Sequence, residues 1–176
     1  MIRPPISRLT LVAVVVATIA GAASCRRAPA VAAMPVEGLV RVALGTNYSY
    51  MSLAVHSGSS LNYGEYLDDT ATMAVTGMPF ARGKAQVATQ FAAIGPQIGA
   101  IAFAREITGF AVNGRLVRDS GTYEFIRDSA NKAKPPIDMK GRYYTLWRLT
   151  DDGHWKIVAD TLIGEKHTRA DLPHAP

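Results

Sequence analysis

Three hydrophobic patterns follow one another along the chain. Leu9 to Ala20 is a continuous apolar run softened only by Thr10 and Thr18. From Leu39 to His56 the apolar positions Leu44, Tyr48, Met51 and Val55 recur three or four residues apart, which predicts one buried face of a helix. Ser57-Gly58-Ser59-Ser60 stops it, and Leu61 to Leu67 forms a second short helix ending at Asp68-Asp69. Thr70 to Thr76 suits a short strand, and Gly77-Met78-Pro79 a turn. Gly83 introduces a third helix in which Val87, Phe91 and Ile94 keep helical spacing until Gly95-Pro96. After Pro96 the period becomes two. Strands are predicted over Ile98 to Val112, Leu116 to Arg127, Met139 to Leu149 and Trp155 to Ile163, with Asn113-Gly114 and Asp152-Gly153 as hairpin turns. Asp128 to Pro136 reads as a polar loop, and the charged tail from Gly164 as loose. Helices first and hairpin-linked strands afterwards predict an α+β domain, its helices covering one face of a curved antiparallel sheet. A sheet bent around helices leaves a cavity at its wide end.

The first apolar run has the layout of a secretory signal: Arg3 and Arg8 before it, and small residues from Gly21 to Ser24 behind it. About a dozen apolar residues fall short of the roughly 20 a helix needs to span the hydrocarbon core. Ala22-Ala23-Ser24-Cys25 resembles a bacterial lipoprotein cleavage box, in which the cysteine sulfur receives the lipid after export. Ala22 stands where that group prefers Leu, and Arg26-Arg27 directly follow the cysteine. The other reading is an ordinary signal peptide cut after Ala22, Ala30 or Ala33, leaving Cys25 incidental and the protein secreted and soluble. The expected organisation is a signal peptide at 1–24, a tether at 25–38 rich in Ala and Pro, a domain at 39–163 and a flexible tail at 164–176. The expected location is the periplasmic side of the cell envelope, held at the membrane through lipidated Cys25.

Composition narrows the function classes. At 176 residues the chain has room for one core. Of 19 Lys and Arg, two lie in the leader, so the processed chain carries 17 basic against 14 acidic side chains, or +3. The basic residues are scattered and do not interleave with aromatics, which argues against a nucleic-acid groove. A single cysteine excludes a disulfide within the chain and a cysteine zinc cluster. His56, His154, His167 and His174 have no histidine neighbour at ligand spacing, and no glycine-rich phosphate loop is present. No metal and no cofactor are expected.

The segments Tyr66-Leu67-Asp68-Asp69-Thr70-Ala71, Gly83 with Val87 and Phe91, Gly121-Thr122-Tyr123 and Asp152-Gly153-His154-Trp155-Lys156-Ile157, in this order and with the change of period, resemble the nuclear-transport-factor-2-like superfamily. The similarity is to its SnoaL-like branch, including the group known as domain of unknown function 4440, and runs from about Leu39 to Leu162. The resemblance implies a cone-shaped fold that often dimerises and serves isomerases, dehydratases, cyclases, hydrolases and pure binding modules, so fold alone does not settle function. Enzymes of the ketosteroid-isomerase type within it need a general base on one wall and hydrogen-bond donors, commonly Tyr and a protonated Asp, on the other.

On the strand Leu116 to Arg127, Val117, Asp119, Gly121, Tyr123 and Phe125 share the face expected to point inward. Asp119 is then a lone carboxylate among apolar neighbours, which raises its pKa toward a useful acid or base, unless it is a structural acceptor at a strand edge. Gly141, Tyr143, Thr145 and Trp147 share the inner face of the next strand, with Tyr143 or Tyr123 as candidate donor. Tyr50, Tyr66, Tyr123, Phe125 and Trp147 are the expected ligand-binding residues, and Tyr50, Tyr63 and Tyr66 equally fit core or dimer contacts. Adjacent Asp68 and Asp69 diverge and suit turns better than a shared-proton pair. The favoured reading is a non-catalytic domain holding a small apolar or aromatic ligand, or a partner. The alternatives are a cofactor-free isomerase, dehydratase or cyclase using Asp119 and Tyr143, and a structural dimer whose aromatics fill its own cavity.

Overall fold

A computed structural model describes residues 36–128, 130 and 137–175. The leader, Cys25 and most of the 128–136 loop lie outside the described residues. Helix α1 spans Glu37–Ser57 and α2 Ser60–Gly64; strand β1 spans Leu67–Val75 and β2 Ala81–Arg82; α3 covers Lys84–Ala92 and α4 Ile94–Ile98. Four long strands follow: β3 Ala100–Asn113, β4 Leu116–Arg127, β5 Lys140–Leu149 and β6 Trp155–Gly164.

The α+β expectation holds, with helices packed on one face of a six-stranded sheet of order β2-β1-β6-β5-β4-β3. The pairing is not uniformly antiparallel. β1 runs parallel to β6, with an irregularity between Leu67 and Thr72. Hairpins dictate antiparallel pairing only for strands joined by a tight turn. β1 turns back only onto the short β2, which it pairs antiparallel, and no hairpin joins it to β6, so their relative direction is not set locally.

In α1, all four apolar positions picked out by spacing, Leu44, Tyr48, Met51 and Val55, are buried, with Val40 and Ala54 beside them. Gly58 ends the helix in the left-handed region at φ 67°, its N–H reaching the carbonyls of Ala54 and Val55. The Ser59 hydroxyl accepts from the Asn62 N–H to start α2. The second helix is shorter than expected: Leu67, Asp68 and Asp69 already belong to β1. The third is divided, because a further turn, α4, runs through Gly95 and Pro96. Gly95 is required there, since a Cβ on it would sit 1.8 Å from the Val55 carbonyl oxygen of α1.

Phe91 of α3 meets Phe103 and Phe125 in the centre of the core, with ring centroids 5.4 and 6.0 Å away, and Phe103 stacks on Phe125 at 4.5 Å. The first residues of the tail carry local hydrogen bonds. Glu165 N–H continues the pairing to the Lys140 carbonyl, and Thr168 with Asp171 caps a single 3-10 turn.

Candidate functional site

The inner sheet face and α1 enclose a polar cluster. Asp119 of β4 is 2 % exposed, and its two carboxylate oxygens accept from three donors. The Tyr48 hydroxyl donates to Oδ2 at 2.7 Å, the Tyr143 hydroxyl to Oδ2 at 3.1 Å, and Trp147 Nε1–H to Oδ1 at 2.9 Å. Tyr48 comes from α1 and the other two from β5, so one carboxylate ties the helix to two strands. Burial raises the Asp119 pKa above the usual carboxylate range, opposed by its hydrogen bonds and by the Arg105 charge. Burial likewise pushes the hydroxyls of Tyr48 and Tyr143 far above neutral pH, so both stay protonated donors.

A second buried carboxylate lies beside the first. Arg105 of β3 and Asp160 of β6 form an ion pair with both side chains fully enclosed, Nη2 to Oδ2 at 2.5 Å and Nη1 to Oδ1 at 3.2 Å. Arg105 Nη1 also donates to the Thr145 hydroxyl at 2.9 Å, and Thr145 donates to Asp160 Oδ1 at 2.8 Å. The guanidinium lies 4.8, 5.0 and 4.6 Å from the ring centroids of Tyr48, Phe103 and Tyr143. Burial is the strongest single influence on Arg105 and alone would lower its pKa, but Asp160 together with Tyr48 and Tyr63 more than offsets it and keeps the guanidinium charged. The expectation that Asp119 stands alone among apolar neighbours is therefore corrected: polar donors surround it, and Asp160 is its charged companion.

Of the predicted catalytic pair, Asp119 and Tyr143 do meet, by direct hydrogen bond with no substrate-sized gap between them. Tyr123, the other candidate donor, is apart from Asp119, and its hydroxyl donates to the Asp138 carbonyl at 3.3 Å. The five predicted ligand-binding residues separate into three places. Tyr123 and Phe125 belong to the Phe91–Phe103 core cluster, and Trp147 to the Asp119 cluster. Tyr50 is 56 % exposed and shares with Tyr66, Leu53 and His56 an open cleft of about 460 Å³ between α1 and α2. Two further clefts lie along the strands. One of about 520 Å³ includes Glu106, Glu124, Lys140, Arg142 and Glu165. The other, about 420 Å³, includes half-exposed Tyr144 with Gly109, Ser120, Leu146 and Thr161.

Asp68 keeps the turn role expected of it, although it lies within a strand. Its Oδ1 accepts from the backbone N–H and hydroxyl of Thr70, and its Oδ2 pairs with Arg148. Burial would raise its pKa, but these partners hold it below the usual range. Among the described residues no group of three or more His, Cys, Asp or Glu is placed to hold a metal ion.

Tyr48, Arg105, Thr145 and Asp160 were not singled out for chemistry. Arg105 carried a signal, an arginine amid the largely apolar run Ile98 to Val112. Asp160 carried none. Counting by two from Trp155 and Ile157 points Asp160 outward, but Val158 is an extra residue in β6: Trp147 pairs with Ile157 and Leu146 with Ala159. The bulge reverses the alternation and turns Asp160 inward.

No family model matches the chain, and no curated protein matches it either. Solved structures do. A Mycobacterium tuberculosis protein of unknown function aligns at TM-score 0.61 with 13 % identity over 76 % of each chain. A Nostoc punctiforme domain of unknown function with a cystatin-like fold aligns at 0.56 with 15 % identity, over 69 % of this chain and 74 % of that one. A Novosphingobium aromaticivorans nuclear-transport-factor-2-like protein with a cystatin-like fold aligns at 0.51 with 15 % identity, over 76 % and 90 %. The fold is therefore of the nuclear-transport-factor-2-like type, and at these identities the likeness concerns fold alone.

Proposed function

We propose that this chain is an exported, lipid-anchored domain of the SnoaL-like kind that works as a non-catalytic binding module. It meets its small ligand or partner at the outside of the domain and runs no reaction within. The observation behind this reading is that both oxygens of Asp119 are occupied by donors of the same chain, Tyr48, Tyr143 and Trp147. A general base needs a lone pair aimed at a substrate proton, and an oxyanion site needs donors free to point at substrate. Here acid and donors satisfy each other, and their role is to hold α1 on the sheet.

One observation favours the enzymatic alternative: the two residues that an isomerase-type reading requires, Asp119 and Tyr143, are adjacent and buried. The experiment that separates the readings follows Trp147 emission in a Trp155→Phe background while aromatic and polycyclic carbonyl compounds are titrated in, with product analysis of each mixture. The binding-module reading expects no saturable quenching of Trp147 and no turnover. Saturable quenching with turnover, both lost in a folded Asp119→Asn variant, would overturn it.

A further inference from the structure

Helix α1 has two apolar faces, and the domain uses only one. Its outward side carries Leu39, Val42, Tyr50 and Leu53, exposed by 71, 70, 56 and 63 %. At 100° per residue these fall on one stripe together with Thr46, Ser49 and Ser57. The stripe has no charged residue. The charged side chains of α1, Glu37 and Arg41, pair with each other at 3.3 Å away from it, and Arg41 lies over the Phe110 ring. The hydroxyls that interrupt it are spent inside the helix. Thr46 donates to the Val42 carbonyl, Ser49 to Gly45 and Ser57 to Leu53, each one turn back. A 21-residue surface helix thus presents apolar side chains with few free polar groups between them.

What covers the stripe is argued from the tether. A domain already held beside a bilayer meets it at high effective concentration, because tethering raises the local concentration of the surface. Cys25 precedes Glu37 by 12 positions, a reach of at most about 40 Å for extended chain. The N-terminal end of the stripe is also the end nearest that anchor in sequence, and a tyrosine within it suits the headgroup boundary, apolar body inward and hydroxyl to water.

We propose that the outer face of α1, through Leu39, Val42, Tyr50 and Leu53, rests on the phospholipid surface to which the N-terminus anchors the chain, fixing the sheet and its clefts to face away from the membrane. This rests on the lipid-anchored reading above. The test places a photoreactive benzophenone amino acid at Leu53, or at exposed Thr122 of β4 as control, in the full chain expressed in its host. Cells are fractionated before irradiation, and adducts are identified by mass. The proposal expects phospholipid adducts at position 53 at least tenfold above those at 122. It also expects their loss in a Val42→Glu variant, which keeps its melting temperature because Val42 touches no core. Equal yields at the two positions, or adducts at 53 to a second copy or another protein, overturn the docking proposal. A chain recovered in the soluble fraction overturns the anchoring reading, and the adduct ratio still decides the docking.

Discussion

Replacing Arg105 with Met should cost this domain a large share of its stability, and removing its partner as well should return most of it. The Arg105 and Asp160 side chains are fully enclosed, and Arg105 supplies both oxygens of Asp160 with a donor. The Met side chain fills the space among Tyr48, Phe103 and Tyr143 but leaves a carboxylate out of water with only the Thr145 hydroxyl. Breaking one side of a buried pair costs about 3–5 kcal/mol. Total stability is about 5–15 kcal/mol for a typical domain. At roughly 3–5 °C per kcal/mol for a domain of this size, the melting temperature should fall by about 10–20 °C. In Arg105→Met/Asp160→Leu no charge is stranded, and replacing a whole buried pair by apolar groups is often neutral. Urea titrations of wild type, Asp160→Leu, Arg105→Met and the double variant complete the cycle. The reasoning is refuted if Arg105→Met loses under 1 kcal/mol, or if the double variant is no more stable than Arg105→Met. A single variant that fails to fold leaves the double variant to decide.

Asp119→Asn keeps the shape of the carboxylate while placing an NH₂ against hydroxyl or indole N–H donors, and urea unfolding should show a loss of about 1–3 kcal/mol. The wild type also carries a pH signature. The folded pKa of Asp119 is raised, so the folded state holds its proton more tightly. This contribution is full below the unfolded carboxylate pKa and is lost as pH rises through the folded value. The stability gap between wild type and Asp119→Asn should therefore narrow with rising pH just above the ordinary carboxylate range, and a widening gap would contradict the sign. Tyr63 is fully buried and its hydroxyl has no hydrogen-bond partner among the described residues. Tyr63→Phe should leave the urea midpoint unchanged or raise it, and a loss above about 1 kcal/mol would show that the hydroxyl is satisfied after all.

Local pattern determined more of this protein than its site. The helical spacing of Leu44, Tyr48, Met51 and Val55, the change to period two after Pro96, and the Asn113-Gly114 and Asp152-Gly153 turns give α1 and the four long strands to within a few residues. These signals are legible because each side chain's burial follows from its own neighbours in sequence. The inward face of β4 follows the same rule, so Asp119 and Tyr123 are buried as alternation predicts.

Tertiary structure decided everything that depends on elements distant in sequence. Whether Asp119 is a free acid or a bound acceptor turns on Tyr48, 71 positions earlier, and on Trp147 and Tyr143 across the strand pairing. Arg105 and Asp160 are 55 positions apart and meet only because the sheet brings β3 and β6, three strands apart in its order, to one enclosed side under α1 and a bulge at Val158 reverses the alternation of β6. A one-residue bulge leaves no mark in composition, yet it exchanges the two faces of a strand, and with them a solvated carboxylate for a buried one. Alternation in the sequence could name which residues were available to the core; pairing register and the approach of α1 settled which of them would touch, and so what chemistry was left for them to do.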